Sequence, residues 1–241
     1  MIGISNHRLT YFGGILLIGT VGVLCAQQAS KADVQKRVAA FKDSMAQNQR
    51  ALAQYTWKQQ TQMLLDGDVK NTSVEQVRIG PDGKMEKTPL SDPNQQQKKK
   101  PRGLKGKIAA KKMAEMKAYI ERLMSLCGRY MKPLPDRLQQ AVKEGRAEVV
   151  QGVGSPVLQL KFKDYYKAGD LLSISVDREA MSMHALEAST YLDGEDDPVS
   201  LSMQFDALQD GTSYMKLLDI GAPAQKLALK VNSFEHERVA Q

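Results

Sequence analysis

Cysteine is nearly missing from this sequence, which has only Cys25 and Cys127. Two cysteines cannot build a disulfide framework, so the fold must rest on packing. Histidine is as scarce, with His7, His184 and His236, and none sits in the Cys/His/acid clusters that zinc requires. No basic segment is studded with aromatics in the way that stacks nucleic-acid bases, which argues against a nucleic-acid partner. Only one long uncharged apolar run exists, Leu9 to Leu24. Its sixteen residues include Gly13, Gly14, Gly19 and Gly22, short of the roughly 20 apolar residues of a spanning helix.

That run follows Arg8 and precedes Cys25-Ala26-Gln27, the charged start, apolar middle and small-residue site of a secretory signal peptide over residues 1–26. An uncleaved anchor is the competing reading. A lipid-modified Cys25 is a third, against which Leu24 stands where a small residue is wanted. Cleavage after Ala26 would leave 215 residues (241 less 26), enough for one domain with a substantial core. Losing Arg8 lowers the formal charge from +7 to +6, a moderate basic excess that favours anionic surfaces.

Residues 27–241 read as a single domain in four stretches. In 27–89, Val34, Val38, Phe41, Met45 and Leu52 recur at helical spacing from Lys31 to about Tyr55. Three strands follow, Tyr55 to Leu65, Val69 to Ile79 and Lys84 to Thr88, separated by the turn formers Asp66-Gly67-Asp68 and Gly80-Pro81-Asp82-Gly83. Residues 90–107 are rich in Gln, Lys, Pro and Gly and read as an exposed basic linker. In 108–146, Met113, Met116, Ile120, Leu123, Met124, Cys127 and Met131 mark a second amphipathic helix, which Pro133 and Pro135 end. Asp136 is then the expected cap of a short helix to Lys143. From 147 to 241 apolar and polar residues alternate, as in Leu158, Leu160 and Phe162, with turn clusters between the runs. The expected class is therefore α+β: a curved antiparallel sheet of about nine or ten strands, with amphipathic helices covering its apolar face.

Little in the chain invites catalysis, and no enzyme activity, metal or cofactor is expected. His184 falls in phase with Leu186 and Ala188 and reads as a core histidine; His236 reads as exposed. Ser155, in Gly152-Val-Gly-Ser155-Pro, lacks the geometry of a nucleophile elbow and a partnered His-Asp pair. The acidic run Asp193 to Asp197 lacks the alternating ligands of a calcium loop, Asn71-Thr72-Ser73 matches a glycosylation sequon, and Cys127 reads as a small buried hydrophobe. Lys98, Lys99, Lys100, Arg102 and Lys105 form the densest charge feature. They are a solvated linker or a contact for an anionic membrane surface.

Several features together are similar to the LolA/LolB-like superfamily of outer-membrane lipoprotein-sorting proteins. They are the leader, the first helix, the strand group opening Tyr55-Thr-Trp57-Lys-Gln-Gln, the helical insertion and the closing hairpins. Leu171 to Asp177, Val199 to Phe205, Leu208-Gln-Asp-Gly211 and Lys226 to Phe234 carry the local likeness. The resemblance implies an unclosed barrel wrapped around helices, periplasmic, with an apolar cavity for the acyl chains of a lipid or lipoprotein. Methionine is favoured on surfaces that accept varied apolar ligands. The cavity is thus expected among Met116, Ile120, Leu123, Met124, Leu172, Ile174, Leu201, Met203 and Phe205. The alternative is an envelope protein-interaction or stress-sensing module on the same scaffold with a packed interior.

Overall fold

The computed structural model of the chain describes residues 30–90, 104–151 and 154–239. The leader expected over 1–26 and most of the basic linker, including Lys98, Lys99, Lys100 and Arg102, lie outside the described residues. Among the described residues no helix is long and apolar enough to cross a membrane.

The first helix, α1 (Lys31–Leu52), begins at a capping box in which Ser30 accepts from the Asp33 backbone and Asp33 accepts from Ser30. Its stripe of Val34, Val38 and Phe41 is buried as the spacing requires. Three strands follow: β1 (Tyr55–Leu65), β2 (Asp68–Ile79) and β3 (Met85–Pro89). Asp66 and Gly67 both take positive φ, 55° and 84°, the backbone of a tight two-residue hairpin turn.

Helix α2 (Leu104–Met131) and helix α3 (Pro135–Lys143) come next. Asp136 does not cap α3. The N-cap is Leu134, held extended by the proline after it, and no side chain closes the cap. Its backbone N–H donates instead to the Tyr165 hydroxyl at 2.8 Å. The remaining strands are β4 (Ala147–Gln151), β5 (Val157–Lys163), β6 (Leu171–Asp177), β7 (Met183–Tyr191), β8 (Pro198–Ala207), β9 (Ser213–Ala222) and β10 (Leu227–Arg238).

All ten strands join one antiparallel sheet in the order β3-β2-β1-β10-β9-β8-β7-β6-β5-β4. The chain walks outward from β1 to the β3 edge and crosses through α2 and α3 to the β4 edge. It then returns by hairpins until β10 pairs with β1. The two edges do not meet, so the curved sheet stays an open barrel. Alternate residues of β5 to β10 point into a core shared with α1, α2 and α3. The first five residues of β2 are exposed and burial is confined to its later part, and β3 is exposed throughout. Three helices do not cover ten strands.

Within α2 the buried face is Tyr119, Leu123, Leu126, Cys127 and Tyr130, rotated from the expected methionine stripe. Met113 (73% exposed) and Met124 (38%) face away from the core. Lys107, Ile108 and Ala110 to Glu115 are likewise exposed, so the first turns of the helix stand clear of the sheet.

Both histidine expectations are reversed. His184 is exposed because the β6/β7 register slips between Ser175 and Val176, leaving it opposite no partner. His236 is half-buried, its ring stacked 5.9 Å from Trp57 and tilted against Tyr214 at 4.0 Å. Glu235, at φ 51°, bulges the end of β10 and turns the next residue inward.

Candidate functional site

Beside the C-terminal half of α1, an apolar pocket of about 450 Å³ opens. Phe41, Met45 and Leu52 of α1 form one wall, and Ile79 and Met85 of the β2–β3 hairpin another. Pro133, Leu134 and Pro135 close it from the α2–α3 connection, and Met181, Met183 and Phe205 from the sheet. Helical spacing places Phe41, Met45 and Leu52 on one face of α1. The two prolines fix an extended connection whose Leu134 remains exposed at the mouth.

Polar groups at the pocket have distinct tasks. Asn48 Nδ2 donates to the Ser213 carbonyl at 2.8 Å, and the Ser213 N–H donates to Asn48 Oδ1 at 2.7 Å. This two-bond clamp ties α1 to the start of β9. Among the described residues, the charged side chains lining the pocket are Lys42 and Lys132. Apolar walls with cations and no carboxylate suit a ligand with a long apolar body and an anionic or strongly dipolar end.

Of the residues anticipated for a cavity, Phe205 alone lines this pocket. Leu201 and Met203, four and two positions back along β8, are buried in the core, as are Leu123, Leu172 and Ile174. Met116 and Ile120 are half-buried against that core, and Met124 is exposed. Lys105 lies in the first turn of α2. Sequence reasoning passed over Met85, Pro133 and Pro135 as pocket formers, because five separated stretches of chain meet here.

Groups with chemical potential elsewhere are held in structural roles. Burial pushes the Cys127 thiol up to about 12, so it stays protonated and unreactive at neutral pH. Ser155 Oγ is engaged with the backbone of Val157. In the acidic turn, Asp197 accepts from the Tyr119 hydroxyl at 2.8 Å and Asp193 pairs with Arg122 at 2.5 Å, pinning the β7–β8 connection to α2. Among the described residues no group of three His, Cys, Asp or Glu side chains could hold a metal ion.

Fold and pocket together define an α+β protein with an open ten-stranded antiparallel sheet, helices packed on one face, and an apolar pocket at the end of α1. Among solved structures, the chain is similar to a DUF1329 family protein from Desulfovibrio piger. The TM-score is 0.37 and the identity 10%, over 83% of this chain and 92% of that one. The sequence matches no family model and no curated protein.

Proposed function

We propose that this chain is an exported, non-enzymatic binding or carrier protein for acyl chains of a lipid or lipoprotein, and that it works in the periplasm. The observation that carries this reading is the pocket of about 450 Å³, walled by Phe41, Met45, Leu52 and Phe205 and fringed by Lys42 and Lys132. Its size falls in the roughly 300–1,000 Å³ range of small-ligand sites. A fluorescent fatty-acid probe should bind saturably to the mature protein, and Met45→Asp or Phe205→Asp should abolish binding while the circular dichroism spectrum stays native. A folded wild-type protein that binds no probe, and from which organic solvent extracts no lipid, would overturn the reading.

One observation favours the second reading, an envelope interaction or stress-sensing module with no ligand cavity. The interior beneath α2 is filled by Leu123, Leu172 and Ile174, all fully buried. The same probe experiment decides between the two.

Docking on an anionic membrane belongs to the same proposal. Lys107, Lys111 and Lys112 are exposed on the free start of α2 and continue the basic run of Lys98, Lys99, Lys100, Arg102 and Lys105. Each cation near such a surface adds about 1 kcal/mol of attraction, lost beyond a Debye length of roughly 8 Å. Co-sedimentation with phosphatidylglycerol vesicles should weaken when Lys98, Lys99 and Lys100 become Gln, and should vanish at high salt.

A further inference from the structure

A second recess of about 500 Å³ is lined by Arg137, Gln140, Arg146, Tyr165, Tyr166 and Lys167, with Asp164. The Tyr166 ring is part of its wall. Arg129, from the last turn of α2, places its guanidinium carbon 4.7 Å from the ring centroid, and Arg137, from the first turn of α3, lies at 4.9 Å. Neither arginine makes an ion pair among the described residues, whereas neighbouring Arg122 and Arg146 are paired with Asp193 and Glu144. Lys167 is also engaged, its amine donating to the Tyr191 carbonyl and lying over the Tyr191 ring. The acid in the recess, Asp164, accepts from the Gly169 N–H at 2.7 Å. Two guanidiniums therefore meet one aromatic ring, and among the described residues neither forms an ion pair with a carboxylate.

The ring they share is fixed. Asp170, buried, accepts from the backbone N–H groups of Tyr165 (2.5 Å), Tyr166 (3.0 Å) and Lys167 (3.0 Å), which locks the β5–β6 loop and with it Tyr166. Arg137 donates from one guanidinium nitrogen to the Tyr165 carbonyl at 3.4 Å; stacking on a held ring orients the guanidinium, and its remaining N–H groups match the paired oxygens of a phosphoryl group. Bringing two like charges to one ring would otherwise be unfavourable, and a doubly charged oxyanion between them removes that repulsion.

We propose that Arg129, Arg137 and Tyr166 form an oxyanion site for a phosphoryl group, with the rest of the recess taking the organic part of a phosphorylated ligand. The site is independent of the apolar pocket, and Met45→Asp should leave it intact. Titration calorimetry with inorganic phosphate tests it on the mature protein, with Arg137→Gln, Arg129→Gln and the remote exposed Arg178→Gln as variants, each first shown to be folded. Saturable binding that drops at least about tenfold in the first two variants, and is unchanged in Arg178→Gln, is the expected result. Arg137→Lys, which keeps the charge and loses the planar fork, should also bind more weakly. Phosphatidic acid vesicles separate the sources. Vesicle binding lost in Arg137→Gln and kept in Arg178→Gln assigns the site to a lipid headgroup, and vesicle binding equal in the two assigns it to a soluble phosphorylated molecule. No saturable phosphate binding, an equal loss in Arg178→Gln, or equally tight binding of acetate would each overturn the proposal.

Discussion

The Tyr130 hydroxyl lies 2.5 Å from Asp170 Oδ2 and donates to it inside the core. Thr190 Oγ1, 2.9 Å from the same phenol oxygen, completes the contact. Asp170 thus joins α2, through Tyr130, to the loop between β5 and β6, whose backbone it holds at Tyr165, Tyr166 and Lys167. The helix cannot shift along the sheet without breaking a buried, charge-assisted bond.

Removing this link should cost stability at once. Tyr130→Phe deletes the donor yet keeps the ring, and leaves Asp170 one partner short in a dry site, which corresponds to about 1–3 kcal/mol. Asp170→Ala strands three backbone N–H groups and should cost more. Urea unfolding followed by circular dichroism measures both. A Tyr130→Phe midpoint equal to wild type would show that the bond adds nothing net.

The protein should also weaken in alkali. Burial first, and then the Asp170 hydrogen bond, push the Tyr130 phenol well above its ordinary range. Burial likewise raises Tyr119 and Tyr165, and raises Cys127 to about 12. A group whose folded pKa is raised holds its proton in the native state after the unfolded chain has lost it. Stability is therefore complete below the unfolded values of about 8.5 for Cys and 10 for Tyr, and falls as pH rises through and beyond them. Thermal melts from pH 8 to 11 should show this decline, and Tyr130→Phe should show a shallower one. Equal slopes would place the alkaline loss on other groups.

Most of the sheet was legible because period-two alternation is a local signal. Leu158, Leu160 and Phe162 of β5 point inward as read, and the Asp-Gly and Gly-Pro clusters mark the turns. Errors arose where local phase is broken or where a polar atom hides a residue's apolar body. Counting methionines along α2 selected Met113 and Met124, while Tyr119 and Tyr130, whose rings are buried and whose hydroxyls reach Asp197 and Asp170, carry the true stripe. The slip at Ser175/Val176 and the bulge at Glu235 each reverse which residues face inward. The pocket was least legible, since Phe41, Met85, Pro133, Met181 and Phe205 come together only through the sheet order.

His236 should make the fold sensitive to mild acid. Burial between Trp57 and Tyr214 lowers its pKa below the usual 6.5, and its Nε2 has no hydrogen-bond partner among the described residues. For a base with a lowered pKa the unfolded chain takes up the proton first. Its contribution is full above about 6.5 and is lost as pH falls from there through the folded value. Melting temperatures between pH 7.5 and 5 should therefore fall in the wild type and fall less in His236→Phe, which keeps the ring stack without the titration. Parallel curves for the two proteins would remove His236 from the account.

The Asn48 clamp governs how firmly α1 closes the apolar pocket. Ser213 is buried, so Asn48→Ala would leave both its N–H and its carbonyl without the partner seen here, at a cost of about 1–3 kcal/mol. That cost falls locally, because the remainder of α1 stays anchored by Val34, Val38 and Phe41 in the core. The expected outcome is a folded variant in which the Ser213 amide exchanges hydrogen much faster while amides of β5 and β6 keep their protection. A loosened wall should also bind a fatty-acid probe more weakly, since part of the binding energy must then order α1. Asn48→Asp retains an acceptor for the Ser213 N–H and loses the donor to its carbonyl, and should fall between wild type and Asn48→Ala in exchange rate. If Ser213 exchange in Asn48→Ala matches wild type, the two hydrogen bonds are not what holds α1 against β9, and the pocket wall depends on its apolar contacts alone.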